Sequence, residues 1–429
     1  ILLADAYKYT HWLQLPKGTT FIEGYIESRG TKLNISYQRF FGLQGFIKDY
    51  LKGKVIKKWM ITEAADLLGE MFGTHAYFNK EGFLKLLDKH GGRLPIKIRA
   101  VKEGTKVPLH NVMVIVENTD PEFPWLTMWI ETMLLRAVWY PTTVCTISSA
   151  VKDIEREFAA ICGAKDNIFF LNDFGARGVS SHESAELGGA AHLVNYFGTD
   201  TVEAVRWAKA RYGKMATGYS VIATEHSTTT IYLKDGETDA YRNMLTVAPK
   251  NAIVSIVIDS YNPINAVQNI LGGTLKPMIM ERTAPTVFRP DSGDPVEMSF
   301  QIVELLWNIF GGTVNEKGYR VLDNHVRIIY GDGINLDSIR QILQKFVDNK
   351  YSIENIVFGM GGKLLQAVDR DTFQYACKAC FAIVDGIGRD IFKQPSSDKM
   401  KNSKKGELKL IIKDGQFDTV NVQVMPDLK

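Results

Sequence analysis

From about Ile168 onward the chain repeats one pattern: a short apolar run, a polar or glycine-rich turn, then in most cases an amphipathic stretch. The runs are Ile168–Leu171 before Asn172-Asp173-Phe174-Gly175, Ile253–Ile258 before Asp259-Ser260, and Thr286–Phe288 before Arg289-Pro290-Asp291-Ser292-Gly293. Val326–Tyr330 before Gly331-Asp332-Gly333 and Ile356–Phe358 before Gly359-Met360-Gly361-Gly362 complete the series. Helical periodicity follows at Ile264–Leu271, Glu297–Phe310 and Leu336–Val347. Such runs suit buried strands, and a repeated strand, turn and helix dictates a parallel α/β arrangement. In a barrel the strand ends converge on one face, where active sites of such folds lie. The expectation is an irregular β/α barrel over 146–385.

The part before it reads differently. A strand-like run at Thr20–Glu27 precedes helical patterns at Phe40–Leu51 and Thr62–Met71 and β-rich segments at Ile96–Val101 and Val112–Glu117. Two helical patterns follow Pro124, the second entered through Pro141 and running to about Ile161. A mixed α+β flanking domain over 1–145, completed by 386–429, is expected. At 429 residues and 48.2 kDa the chain exceeds one ordinary core.

A formal charge of +3 provides no basic field for nucleic acid. The most apolar stretch, Phe123–Val138, is broken by Glu131 and Arg136, which argues against a membrane span. The four cysteines (Cys145, Cys162, Cys377, Cys380) form no disulfide framework, and one C-x-x-C pair is weak for zinc, so buried thiols in the cytoplasm are expected. The chain opens at Ile1 without a Met, which leaves a preceding targeting segment open.

The turns supply Asp173, Arg177, Asp259, Arg289, Asp291 and Asp332, with glycines whose backbone N–H groups can approach a ligand closely. One such Asp is ordinarily a cap or turn residue. Five polar turns together suit a phosphorylated sugar with Mg²⁺, because the ion takes hard oxygen ligands and phosphate takes donors. Gly359–Gly362 opening a helix suits a phosphate, while no G-x-x-x-x-G-K-[ST] loop is present. His226, in Glu225-His226-Ser227-Thr228, reads by itself as a structural hydrogen-bonder. Lys399–Lys405 reads as a solvated loop or a polyphosphate site.

In combination these segments, with Asp5-Ala6-Tyr7-Lys8, Ala176-Arg177-Gly178-Val179-Ser180-Ser181 and Gly198-Thr199-Asp200-Thr201, resemble the nicotinamide-using branch of the type II phosphoribosyltransferase family, in order from Ile1 to about Lys413. The resemblance implies a homodimer with active sites shared between subunits. It implies a transferase of NAD salvage that joins nicotinamide to 5-phosphoribosyl 1-pyrophosphate, with Mg²⁺ as cofactor and ATP as coupling substrate. Phe174 and the partner's Tyr7 match residues that sandwich the pyridine ring, and Asp200 matches the carboxylate that accepts from the carboxamide. Arg289 lies by the ring; Asp291 and Asp332, with Gly331, lie near the ribose; Arg177 belongs to the substrate-binding set. Gly361 and Gly362, with the partner's Arg370 and Lys378, match the 5-phosphate site, and Lys393 and Lys401 match pyrophosphate or nucleotide positions. His226 matches a histidine phosphorylated by ATP, and Asp259 and Asp291 are the expected Mg²⁺ carboxylates, directly or through water. Asn172, Ala176, Met360 and Ala376 depart from the family's usual His, Tyr, Ser and Ser, which puts phosphate binding and nucleotide preference in question.

A nicotinate-using relative shares this fold, and residue 200 discriminates, since a carboxylate repels a nicotinate anion. A non-enzymatic binding protein of the same fold would be expected to lose the strand-end acids or His226, all of which are present. A phosphosugar isomerase or aldolase is disfavoured because no lysine stands at a strand end for a Schiff base.

Overall fold

The computed structural model describes residues 1–214, 216–397 and 402–423. Contacts divide the chain into two compact units, Ile1–Thr146 with Asp369–Lys429, and Ile147–Val368.

The second unit is built on seven strands: β1 (Leu171–Asp173), β2 (Gly198–Thr199), β3 (Ile222–Ala223), β4 (Val254–Val257), β5 (Thr286–Arg289), β6 (Val326–Tyr330) and β7 (Ile356–Met360). All their pairings are parallel, and neighbours in the sheet follow chain order from β3 to β7, after which β7 pairs with β1 and β1 with β2. A parallel bridge from Gly198 to Tyr219, just ahead of β3, curls the sheet back on itself. All strands therefore end on one rim. The cores of β4 and β6 are buried Val and Ile, as expected for parallel strands covered on both faces. Amphipathic helices Pro295–Phe310 and Leu336–Asp348 bury Ile302, Val303 and Leu306, and Ile339, Ile342, Leu343 and Phe346. Each starts on a side-chain cap, Asp294 and Asn335 accepting backbone N–H bonds.

The first unit carries an antiparallel five-stranded sheet in the order Ile387–Asp390, Tyr375–Val384, Thr19–Ser28, Val112–Asn118, Ile96–Ala100. Tyr375–Val384 pairs along Thr19–Ser28 over nearly its whole length, so the chain returns to this unit at Asp369, not at 386 as the sequence suggested. Apolar strands of the two architectures look alike, and only the pairing partner separates them.

Two further expectations change. Pro141 does not begin a helix; it lies inside Glu131–Cys162, its fixed φ being compatible with the helix, and Gly42 lies so close that a Cβ there would meet the proline ring at 2.3 Å. Ile264–Leu271 is a short α-turn, Pro263–Asn265, continuing as a π-helix, Ala266–Thr274. Among the described residues no helix is long and apolar enough to cross a membrane. The four cysteines are buried and none is in a disulfide, and burial pushes the Cys377 and Cys380 thiols well up.

Candidate active site

The rim gathers most of the residues that the sequence singled out. Phe174 and Arg177 follow β1, Asp200 follows β2, His226 follows β3, Asp259 follows β4, and Arg289 and Asp291 lie at the end of β5. Gly331 and Asp332 follow β6, and Gly361 and Gly362 follow β7. Every strand of the barrel contributes, which a set of unrelated turn residues would not do.

Phe174 is held by its backbone N–H, which donates to the Met360 carbonyl at 3.1 Å. Its ring lies across β6 and β7: a Cβ on Gly359 would come within 2.1 Å of the ring, and one on Gly331 within 3.6 Å. These glycines are sites of close approach, not of unusual φ. The Arg289 guanidinium sits 5.4 Å from the ring centroid and pairs with Asp291 at 2.9 Å. Arg289 Nε and the nearby Ser260 hydroxyl are buried without a partner among the described residues, so each calls for a polar ligand or water.

Asp200 is exposed, and one of its oxygens accepts a bond from the Ser220 hydroxyl. Ser220 carries no signal of its own in the sequence, where it reads as one more residue in the Tyr219–Ala223 run. His226 opens a five-residue helix whose start is fixed by a capping box, the Glu225 side chain and Thr228 exchanging bonds with each other's backbone. Nε2 faces the Asp259 carboxylate at 3.0 Å; a carboxylate only accepts, so Nε2 carries the proton and Nδ1 is left outside that bond. Asp259 is 3% exposed and His226 46%.

The rim is acidic. Tyr330 is pushed up, first by burial and then by Asp332, Asp259, Asp291 and Asp294, which places all four carboxylates within electrostatic reach of one phenol. Its hydroxyl donates to the carbonyls of Ser292 and Gly293 at 3.1 and 3.2 Å, fixing the loop beyond Asp291. Among the described residues no three His, Cys, Asp or Glu side chains are grouped as a metal cage. Asp259 and Asp291 fit the other mode, a Mg²⁺ ion held by one or two carboxylates together with substrate phosphates and water.

The remaining expected residues belong to the first unit. Tyr7 is 57% exposed on the 3₁₀ helix Ala6–Gln14, which is held by the buried Lys8 ammonium on Glu131. Arg370 pairs with Asp371 at 3.0 Å, Lys378 donates to the Cys377 carbonyl at 2.9 Å, and Lys393 is exposed. Lys401 lies outside the described residues. A cavity of about 780 Å³ in this unit, between Val112, Ile115 and the hairpin strand Leu408–Lys413, contains none of them.

A parallel barrel with an aromatic platform, paired cations and acids, and glycine turns on its rim is the arrangement expected from the resemblance to type II phosphoribosyltransferases. Two solved structures share the fold at 14% identity: nicotinate-nucleotide pyrophosphorylase from Pyrococcus furiosus, with a TM-score of 0.59 over 98% of this chain and 82% of that one, and human nicotinic acid phosphoribosyltransferase, with 0.53 over 89% and 75%. Residues 169–424 match the nicotinate phosphoribosyltransferase (NAPRTase) family, and residues 1–98 match the nicotinamide phosphoribosyltransferase N-terminal domain. The chain belongs to this family. Among its relatives, the nicotinamide phosphoribosyltransferase of Xanthomonas campestris pv. campestris (strain 8004) is 47% identical over 96% of this chain and 87% of its own length. That of Acinetobacter baylyi is 34% identical over 95% and 87%.

Because the Phe174 ring is a side chain that can turn, Gly359→Ala should move the ring and spare the fold. The expected result is a melting temperature within about 3 °C of wild type, a loss of roughly 1 kcal/mol at most, with Phe174 in a different rotamer in the crystal structure of the variant.

Proposed function

We propose that this protein transfers the phosphoribosyl group of 5-phosphoribosyl 1-pyrophosphate to nicotinamide, giving nicotinamide mononucleotide and pyrophosphate in NAD salvage. The observation that carries the reading is Asp200, a carboxylate at the end of β2, in a chain nearly half identical to a nicotinamide phosphoribosyltransferase along almost its whole length.

The ring nitrogen of nicotinamide has a free lone pair, so no general base is needed. The new bond forms between that nitrogen and the anomeric carbon, while the bond to pyrophosphate breaks and its electron pair leaves with the oxygen. Phe174 and Arg289 orient the base. Asp291 and Asp332 offset positive charge developing on the ribose, the backbone at Gly361 and Gly362 receives the 5-phosphate, and Arg177 belongs to the substrate-binding set on the same rim. Asp259 and Asp291 would hold a Mg²⁺ ion, which supplies positive charge to the departing pyrophosphate. Arg289 alone would favour an anionic base, but Asp291 already ties its guanidinium. Asp200 therefore decides, and two like charges at about 4 Å in an effective dielectric near 20 repel by about 4 kcal/mol.

The site is composite in this reading: Tyr7, Arg370, Lys378, Lys393 and Lys401 of one subunit serve the rim of the other in a homodimer. Support comes from exposed apolar side chains around the rim loops, with Val202 and Ile231 each 78% exposed, which a second copy would cover. ATP acts through His226, its γ-phosphoryl passing to Nδ1 with ADP leaving, while Asp259 retains Nε2. Buried thiols outside any disulfide suit the cytoplasm.

Incubation with phosphoribosyl pyrophosphate, Mg²⁺ and either base should yield nicotinamide mononucleotide, with kcat/KM for nicotinate lower by up to about a thousandfold, and Asp200→Asn should narrow that gap. Equal efficiency with both bases would sink the assignment. For His226→Ala, product formation without ATP should persist while stimulation by ATP disappears; unchanged stimulation would return His226 to a structural role. Finally, Phe174→Ala/Asp200→Asn and Arg370→Ala/Lys378→Ala chains, each inactive alone, should regain roughly a quarter of wild-type activity when unfolded and reassembled together, because about half the dimers are mixed and each has one intact site. No recovery in confirmed mixed dimers places all these residues in one subunit.

A further inference from the structure

Behind the rim, a carboxylate that this chemistry leaves idle joins the two residues assigned to the base. Asp173, the last residue of β1, is fully buried against the helix His182–His192, where a Cβ on Gly189 would lie 3.0 Å from Oδ2. Oδ1 accepts the Gly175 N–H at 2.8 Å and so closes the turn that carries Phe174. Oδ2 accepts from the Thr199 hydroxyl at 3.4 Å, and the Asp173 carbonyl accepts the Asp200 N–H at 2.9 Å. The Thr199 hydroxyl in turn accepts the Thr201 N–H at 3.0 Å, so residues on both sides of Asp200 are tied to one side chain. His192, also fully buried, lies within electrostatic reach, with Nε2 on the Gly198 carbonyl at 3.0 Å and Nδ1 on Ser148 at 2.9 Å. Burial keeps that imidazole from charging.

We propose that Asp173 is a positioning residue for base recognition, setting the spacing between the Phe174 ring and the Asp200 carboxylate through Gly175 and Thr199. This rests on the nicotinamide reading above. A carboxylate that only stabilised the barrel would, when lost, weaken both substrates alike. A positioning carboxylate acts chiefly on the base, because its side-chain bonds go to Gly175, next to Phe174, and to Thr199, next to Asp200, and none goes to Gly361 or Gly362, which follow β7.

The test is steady-state kinetics on the full chain with both substrates varied. Asp173→Ala should raise KM for nicotinamide by about tenfold or more, the cost of a lost bond to a charged acceptor, and leave KM for phosphoribosyl pyrophosphate within about twofold. Asp173→Asn keeps an oxygen for Gly175 and should stay within about threefold of wild type. Thr199→Val cuts only the tie toward Asp200 and should raise the nicotinamide KM by about threefold, the effect of one neutral hydrogen bond; it carries the test if Asp173→Ala does not fold. Equal rises in both KM values, or an Asn variant as impaired as Ala, overturns the inference. A nicotinamide KM unmoved in an active enzyme removes the inference alone, whereas a wild-type protein that makes no nicotinamide mononucleotide removes the reading of the site and the inference with it.

Discussion

An aromatic ring stands where β7 has no side chain, at Gly359. Phe174 occupies space that a Cβ atom on Gly359 would contest, and its orientation follows from that packing and from the bond to the Met360 carbonyl. The ring fixes the floor over which Arg289 lies, and Arg289 in turn carries Asp291. A short chain of contacts thus leads from strand pairing to the geometry of a binding platform. The parallel register does the rest, since Asp173 pairs with both Thr199 and Met360 and sets three strand ends level.

Charge is arranged on that frame with its own consequence. Four carboxylates around Tyr330 oppose its ionisation, and burial opposes it more. The phenol therefore stays a donor, and its bonds to Ser292 and Gly293 hold the loop after Asp291 in place. Arg289, paired with Asp291, and Arg177 stand on the same rim as these acids.

The barrel was legible in the sequence wherever a strand was long enough to show an apolar run. β4 through β7 fall where the runs do, and their turns supply Asp259, Arg289, Asp291, Asp332 and the glycines. β2 and β3 have two residues each and leave no periodicity, so Asp200 and the phosphoryl role of His226 entered through family resemblance, and Ser220 not at all. Tyr375–Val384 was assigned to the wrong unit because alternation reports burial, not which sheet provides it. Lone residues such as His226 could not be ranked from sequence; the buried Asp259 facing its Nε2 is a tertiary fact.

The departures from the family pattern divide by where the structure puts them. Met360 is 1% exposed, and what it offers Phe174 is a backbone carbonyl, which any residue supplies; its side chain is part of the packing. Asn172 donates its amide to the carbonyls of Phe169 and Phe358 at 3.0 and 3.1 Å, and a Cβ on Gly198 would meet its Oδ1 at 1.9 Å. It is therefore locked by β7 and β2, and it cannot take on a proton as the family's usual histidine could. Ala376, in contrast, pairs with Glu27 in the first unit and leaves a hydroxyl out of a phosphate site assigned to that unit's cations. Removing one neutral donor costs about 1 kcal/mol where charged donors remain, so Arg370 and Lys378 would hold the 5-phosphate with affinity reduced several-fold and its position unchanged.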